Sequence, residues 1–220
     1  MLKKQKILLI LLILIILLAG AFTVHKINQN KKDKEFLSKL TGEVVFTRRD
    51  KSGVSNIWKI NANGTGEIML FHNDKYGGPA KNFNSGSPQW SDDGTKIYFR
   101  SMDKDNKSKI FEMDFDDKNV KALEKNPTDY KLDDIRHFSR EKDIIVREGD
   151  IYYINKNNQE IKIYNFKGPY SQDFNPGVTE ASWSPDKKYI IFNGPRGLMI
   201  VDLQGNTAKL TSGINGNWKY

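Results

Sequence analysis

Few side chains in this 220-residue sequence have types and spacings that favour chemistry. There is no cysteine, which excludes thiol catalysis, disulfides, iron–sulfur clusters and zinc fingers, and the three histidines make a histidine-rich metal site unexpected. The sequence contains no Gly-x-Ser-x-Gly, His-Glu-x-x-His or Gly-x-x-x-x-Gly-Lys motif. We therefore predict no catalytic residue, no metal site and no cofactor.

Two charged segments are candidate contacts for ions or partners. One begins with Arg48 and Arg49 in a predicted hairpin loop, where guanidinium groups favour an anion or an acidic partner. The other, Asp103–Lys107, has acidic side chains at alternate positions like a calcium loop, but lysines interrupt it and no Glu follows at the twelfth position. Solvated hairpin tips are the favoured interpretation of both segments, and the two arginines are kept as candidate partner-binding residues.

Three long predicted loops carry aromatic side chains among Gly, Pro and Asn: residues 72–86, 124–134 and 168–179. Loops of this length in a compact domain are usually functional or disordered, and aromatic residues on polar loops are typical of recognition surfaces. In the alternative interpretation the rings fold back and cover the ends of nearby strands. The candidate partner-binding aromatic residues are Tyr76, Phe83, Tyr130, Tyr170 and Phe174.

The elements that must position these residues recur four times along the chain. In each copy an apolar strand such as Ile97–Phe99 is followed by a strand that ends in Asn or Asp, such as Ile110–Asp114. Their β-branched and aromatic residues are typical of strands, and the closing Asn or Asp favours a tight turn. A first strand precedes each pair, and the four first strands are predicted at Glu35–Ser38, Ser87–Ser91, Arg136–Ser139 and Ala181–Ser184. The closing residues are 47 positions apart on average, which is typical of four-stranded propeller blades.

Two of the copies resemble the Pro-Asp repeat of TolB-type β-propellers. Trp90–Phe99 reads Trp-Ser-Asp-Asp-Gly-Thr-Lys-Ile-Tyr-Phe, and Trp183–Phe192 reads Trp-Ser-Pro-Asp-Lys-Lys-Tyr-Ile-Ile-Phe. The Leu-Thr ending of that repeat occurs at Leu210-Thr211, and the resemblance covers about residues 36–213. The resemblance implies an all-β propeller fold, and the four copies in this sequence predict about four four-stranded blades, a small or incomplete propeller.

The resemblance also bears on individual residues. The tryptophans at 58, 90 and 183 recur at similar strand positions, so we expect them to pack in the core rather than to bind a ligand. Residues 214–220 are left over after the fourth copy. They either supply a closing strand to the first blade or begin an incomplete fifth blade with an open edge.

An apolar segment precedes the repeats. Lys3, Lys4 and Lys6 are followed by an apolar run that begins at Ile7 and extends to Val24. Eighteen helical residues span about 27 Å, just enough to cross a thin bilayer. The segment is therefore predicted to be an uncut signal anchor or, because Ala19-Gly20-Ala21 fits a cleavage pattern, a signal peptide cleaved near Ala21. Both interpretations place the body outside the cytoplasm.

Charge is concentrated beside this segment. Residues 1–40 carry a net charge of +6, whereas the remaining 180 residues carry +2. A nucleic-acid-binding domain carries its basic surface on the domain itself, so we predict no nucleic-acid partner, whereas lysines beside an apolar segment suit anionic lipid headgroups. The predicted organisation is a signal anchor or signal peptide over 1–27, a polar tether over 28–40 and the propeller over 41–220.

These observations predict a non-catalytic binding or scaffold module, held by a single span at the cell membrane, with a protein or a cell-envelope component as partner. After cleavage the same module is secreted or periplasmic. The alternative function is a propeller enzyme, a lyase or hydrolase that acts on envelope glycan through carboxylates in its central channel. A third interpretation is a degenerate gene product without an independent function. The oligomeric state is left open.

Overall fold

The computed structural model describes residues 2–51, 53–72, 85–103, 107–115, 119–125, 141–166 and 178–219. These residues form one long helix, α1 (Leu2–Leu37), followed by fifteen strands. The strands are β1 (Glu43–Arg49), β2 (Ser55–Asn61), β3 (Ile68–Phe71), β4 (Gly86–Trp90), β5 (Lys96–Met102), β6 (Ser108–Asp114), β7 (Val120–Ala122), β8 (Ile144–Arg147), β9 (Asp150–Ile154), β10 (Glu160–Tyr164), β11 (Thr179–Trp183), β12 (Tyr189–Gly194), β13 (Gly197–Asp202), β14 (Thr207–Thr211) and β15 (Ile214–Trp218).

The strands form four antiparallel sheets. Sheet 2 has the order β4-β5-β6-β7, and sheet 4 has the order β11-β12-β13-β14. Sheet 1 has the order β15-β1-β2-β3, so the C-terminal strand completes the sheet that begins the body. Sheet 3 has the described strands β8, β9 and β10, and its predicted first strand, Arg136–Ser139, lies outside the described residues. Four small sheets in series, with the last strand completing the first sheet, form a small β-propeller, as predicted.

The first strand of sheet 1 corrects one prediction. The sequence predicted the first strand of this sheet at Glu35–Ser38. Instead, Glu35–Leu37 form the last turn of α1, and β15 pairs with β1. A shared bulge makes β15 equivalent to β4 and β11. The residue three positions before the closing tryptophan has a left-handed backbone in all three strands, with φ of 49° at Ser87, 51° at Glu180 and 57° at Asn215. The predicted closing strand is therefore confirmed.

The core lies between neighbouring sheets. Alternate residues of β1 point to opposite faces, so Phe46 packs with Ile191 and Leu198 of sheet 4, whereas Val45 packs with Phe99 of sheet 2. A further cluster joins sheets 3 and 4. Because sheet 1 is covered on both faces, β1 is a continuous run of buried residues from 44 to 47 rather than an alternating one.

The C-terminal part of α1 packs in the wedge between sheets 1 and 4. The side chains of Gln29, Asp33, Phe36 and Leu37 recur at helical spacing and form the shielded side of this part, with Asp33 only 7% and Leu37 only 4% exposed. In contrast, the large apolar side chains from Ile7 to Leu18 are 48–70% exposed. The predicted tether, residues 28–40, thus continues the apolar helix and packs on the sheets along one side. The domain boundaries stay predictions.

Candidate functional site

Of the seven residues predicted to bind a partner, the structure describes the two arginines. Tyr76, Phe83, Tyr130, Tyr170 and Phe174 lie outside the described residues. Arg48 and Arg49 were predicted in a hairpin loop, but they are the last two residues of β1 and pair with the first two residues of β2. The hairpin loop begins after them, so their backbone is fixed by the sheet.

Arg48 forms its contacts at the junction of sheets 1 and 4. Its Nη1 lies 2.6 Å from Oε1 of Glu67, and its guanidinium carbon lies 3.8 Å from the centre of the Trp58 ring. The other carboxylate oxygen of Glu67 accepts a hydrogen bond of 2.7 Å from the hydroxyl of Thr211, the last residue of β14. Because this carboxylate neutralises the guanidinium and the ring covers it, Arg48 links two sheets rather than presenting an open cation.

Arg49 has the exposed position that the prediction requires. Its side chain points away from Arg48, to the opposite face of sheet 1, and is exposed beside Lys51 at the β1–β2 hairpin. The connection after Phe71 leaves sheet 1 at the same end, because Phe71 pairs with Ile57 near the start of β2. Arg49 therefore lies at the end of the sheets at which β3, β7 and β10 end, and we call this end the long-loop face.

The repeated tryptophans occupy the core, as predicted for two of the three. Trp90 is 5% exposed and Trp183 is 3% exposed, whereas Trp58 is half-buried beneath Arg48. The third member of the repeated set is Trp218, at the end of β15, which is 2% exposed. Its ring stacks on Tyr189 with centroids 6.3 Å apart, and its indole nitrogen donates to the Thr41 carbonyl at 3.2 Å.

The carboxylates of the repeated Trp-Ser-x-Asp segments serve their own turns. Asp93 accepts hydrogen bonds from the hydroxyl of Ser91 at 2.6 Å and from the amide of Thr95 at 3.0 Å. These contacts lower the pKa of Asp93 to about 2, with the Ser91 hydroxyl the largest cause. Asp186 repeats the arrangement, because it accepts from Ser184 at 2.7 Å. Both aspartates act as turn acceptors.

Two further carboxylates join neighbouring strands or sheets. Burial acts to raise the pKa of Glu112, but hydrogen bonds from Lys96 and Lys121 outweigh it and the pKa is lowered. Burial likewise acts to raise the pKa of Asp143, and the indole of Trp183 and the ammonium of Lys187 outweigh it. The pKa of Asp186 is lowered as well, so these four carboxylates all favour the ionised form. Within the described part of the chain, no group of three or more His, Asp or Glu side chains is placed to hold a metal ion.

A concave site lies between α1 and sheet 4, and we call it the helix groove. It has a volume of about 510 Å³. The helix contributes Gln29, Lys32, Glu35 and Phe36, Lys39 follows the helix, and sheet 4 with its turns contributes Tyr189, Asp202, Asn206 and Thr207. The ring of Phe36 meets Tyr189 edge-on, with centroids 6.0 Å apart, and closes the floor. An adjoining cavity of about 320 Å³ shares Lys39 and Tyr189 with the groove and extends to Trp218.

The helix groove combines an aromatic floor with amide, hydroxyl, ammonium and carboxylate groups, including Glu35, so its chemistry suits a small polar group. Asp202, which also lines it, is occupied by its own turn, where it accepts from the amide of Asn206 at 2.8 Å. The sequence analysis missed this groove. The sequence contained one signal, the helical spacing of residues 29, 33, 36 and 37. This spacing indicates a packed helix side only if the carboxylate of Asp33 has a buried partner.

Several solved structures are similar to this chain. The TolB structure from Acinetobacter baumannii is similar over 77% of the chain, with 18% identity and a TM-score of 0.30, and a putative TolB from Agrobacterium tumefaciens over 77%, with 15% identity and a TM-score of 0.31. A gluconolactonase from Xanthomonas campestris is similar over 73%, with 12% identity and a TM-score of 0.25. The chain spans 41%, 61% and 53% of these three structures, less than two-thirds of each. No protein-family model and no curated protein sequence matches it.

Proposed function

We propose that this protein is a membrane-tethered β-propeller outside the cytoplasm that binds a protein or a cell-envelope component without catalysing a reaction. The observation that carries the proposal is the continuity of α1. Its 36 residues span about 54 Å, and the helix passes without a break from an exposed apolar part to a part packed on sheets 1 and 4. A helix of this kind suits a rigid mount between a bilayer and a folded body.

The apolar part has the properties of a membrane span. The helix contains an 18-residue window with a mean hydropathy of 3.3, and none of that window is buried by the rest of the chain. Exposed leucine and isoleucine side chains over that length are unfavourable in water and favourable in lipid. A signal peptide passes the same test, so cleavage near Ala21 is the competing outcome, and it leaves the packed part of α1 attached to the body.

Binding, rather than catalysis, is supported by how the described carboxylates are used. The enzyme alternative needs a carboxylate pair in which one group holds a raised pKa and donates a proton. The shifted carboxylates described above have lowered pKa values and accept hydrogen bonds in turns and between strands or sheets. Arg49 remains available at the base of the long-loop face, where the proposal places the partner.

The absence of cysteine allows a direct test of anchorage and side. The full chain carrying the single change Asn63→Cys, in an exposed turn of sheet 1, is expressed in intact cells. We expect an impermeant maleimide to label it and alkaline carbonate to leave it in the membrane fraction. Labelling only after the cells are broken contradicts the proposed side, and a mature N-terminus near Phe22 contradicts the anchor.

A second pair of single-cysteine chains tests the binding face. Lys51→Cys lies at the hairpin beside the long-loop face, and Asn63→Cys lies at the opposite end of the same sheet. With a photocrosslinker attached, we expect one discrete envelope adduct from position 51 and none from position 63. Adding Tyr76→Ala, Tyr130→Ala and Tyr170→Ala removes the adduct if the loop aromatics bind the partner.

The matched control replaces exposed apolar side chains elsewhere. Ile68→Ala and Met69→Ala alter β3, where these side chains are 42% and 40% exposed, and the adduct from position 51 is expected to persist. Equal adducts from both positions, or an adduct that survives the loss of the loop aromatics, contradict the long-loop face as the binding site.

A further inference from the structure

We propose that the part of α1 next to the apolar segment is a binding surface for anionic lipid headgroups. The surface consists of Lys26, Lys31, Lys32 and Lys34, and we call it the lysine collar. This inference rests on the proposed membrane anchorage and adds to it a preference for one class of lipid. Lysine ammonium groups close to a bilayer surface are attracted electrostatically to anionic headgroups, on whichever side of the membrane those lipids are present.

The lysine collar lies at the height of the headgroups. Val24 is the last residue of the apolar segment, and at 1.5 Å per residue Lys26 lies about 3 Å and Lys34 about 15 Å beyond it along the helix axis. The headgroup layer is roughly 5–8 Å thick on each side of a bilayer, and the Debye length at physiological salt is about 8 Å. Lysine side chains are long and flexible, so all four ammonium groups are within range of headgroup phosphates.

The packing of α1 leaves the four collar lysines exposed, and Lys32 also lines the rim of the helix groove. Gln29, Asp33, Phe36 and Leu37 occupy the shielded side of the helix, and Lys31, Lys32 and Lys34 lie on its other sides. Lys26 is on the same side as Asp33 but precedes the packed part of the helix, and all four lysines are exposed. None of the four forms an ion pair with another described residue. The collar lysines are therefore distributed around the helix and are all accessible to headgroups.

Two acidic residues adjoin the collar lysines: Glu35, which is exposed directly after Lys34, and Asp33, which the body neutralises. Asp33 is adjacent to Lys32 and Lys34, but its carboxylate is buried and pairs with Nη1 of Arg196 at 2.9 Å, and it also accepts from Gln29 at 3.0 Å. Arg196 belongs to the β12–β13 hairpin of sheet 4, 163 residues away in the sequence. The collar consequently keeps its four positive charges without internal compensation from Asp33.

The test uses the full chain in nanodiscs of phosphatidylcholine with one-quarter phosphatidylglycerol. Spin-labelled lipids measure the relative affinity of the protein for phosphatidylglycerol over phosphatidylcholine. We expect Lys31→Gln, Lys32→Gln and Lys34→Gln together to reduce this selectivity by about tenfold or more, and salt to weaken it in the unmodified chain. The matched control, Lys125→Gln with Lys142→Gln and Lys156→Gln, removes the same charge from exposed positions on the sheets and is expected to leave the selectivity unchanged.

The possible outcomes distinguish the lipid preference from the membrane anchorage on which it rests. A chain that alkaline carbonate releases overturns the anchorage and the lipid preference together. A chain that stays inserted but shows equal affinity for the two lipids overturns only the lipid preference. Equal losses in the collar variant and the control also overturn it, because net charge rather than the collar then sets the selectivity. Loss in the collar variant alone supports it.

Discussion

Trp218 is the residue whose removal tests the propeller closure most directly. We predict that Trp218→Ala lowers the free energy of unfolding by about 3–5 kcal/mol, the usual cost of truncating a buried large aromatic residue. The side chain is 2% exposed, stacks on Tyr189 of sheet 4 and donates to Thr41 before β1. The Cβ that an alanine would add at Gly42 falls 2.7 Å from the indole nitrogen, which shows how closely the backbone packs on this ring.

The effect should exceed that of a local contact because β15 also joins sheet 2. Asn217 accepts a hydrogen bond of 2.9 Å from the amide of Trp90, and the ammonium of Lys219 lies 4.7 Å from the centre of the Trp90 ring. Loosening β15 therefore weakens contacts of sheet 1 with sheets 2 and 4 together. Part of the loss is recovered in Trp218→Phe, which keeps a stacked ring but lacks the indole donor, and we expect it to cost about 1–2 kcal/mol.

Urea unfolding of the full chain in mild detergent, followed by far-ultraviolet circular dichroism, measures these differences. With a slope of about 2 kcal/mol per molar urea, the midpoint of Trp218→Ala should fall by roughly 1.5–2.5 M. The control Met69→Ala changes a side chain that is 40% exposed on the edge strand of the same sheet and should stay within about 0.5 kcal/mol of the unmodified chain. Midpoints for the Trp218 variants that match this control would refute the closing role of β15.

Three further predictions follow from the same contacts. Gly216→Ala should lower stability by about 1–3 kcal/mol, because its Cβ would lie 2.7 Å from a buried leucine methyl, whereas Gly86→Ala, with no atom within 4 Å, should be neutral in the same urea assay. Hydrogen bonds, above all from a serine hydroxyl, lower the pKa of Asp93 from 3.8 to about 2. The stability that the ionised carboxylate contributes is therefore complete above pH 4 and is lost as the pH falls towards 2. The urea midpoints of the unmodified chain and Asp93→Asn should converge over that range. Arg196→Ala removes the partner of buried Asp33 and should lower the free energy of unfolding by about 1–3 kcal/mol. It should also speed amide exchange over residues 29–37, and unchanged exchange there would contradict this prediction.

The strands were predictable because their signals are local. Each repeated segment combines β-branched or aromatic residues with a turn residue directly after it, and β5, β6, β12 and β13 coincide with the predicted segments. The Ser and Asp of the Trp-Ser-x-Asp segments show why the pattern repeats. The Ser91 hydroxyl accepts from the amide of Lys96 at 2.9 Å and donates to Asp93, so two side chains close the turn without help from elsewhere.

The features that were missed depend on partners far away in the sequence. Asp33 reads as a solvated helical residue among lysines until Arg196, in a distant hairpin, is brought next to it. The closing strand β15 was predicted only as one of two alternatives, because its two asparagines and glycine disfavour strands, and its pairing with the edge of β1 decides between them. Glu35–Leu37 resembled a strand only by its place before β1. Such assignments require the closed body rather than the local sequence.

Helix packing and propeller closure meet at one place. Leu37 and Leu40, which follow the lysine collar, belong to the same buried cluster as Trp218, together with apolar residues of sheets 1 and 4. Contacts within one cluster are energetically coupled, because removing either partner leaves a cavity that the other lines. The chain enters the body through α1 and leaves it through β15 at this cluster. The helix proposed to anchor the propeller is thus packed in the same cluster as the strand that completes it, so Leu37→Ala and Trp218→Ala should be energetically coupled.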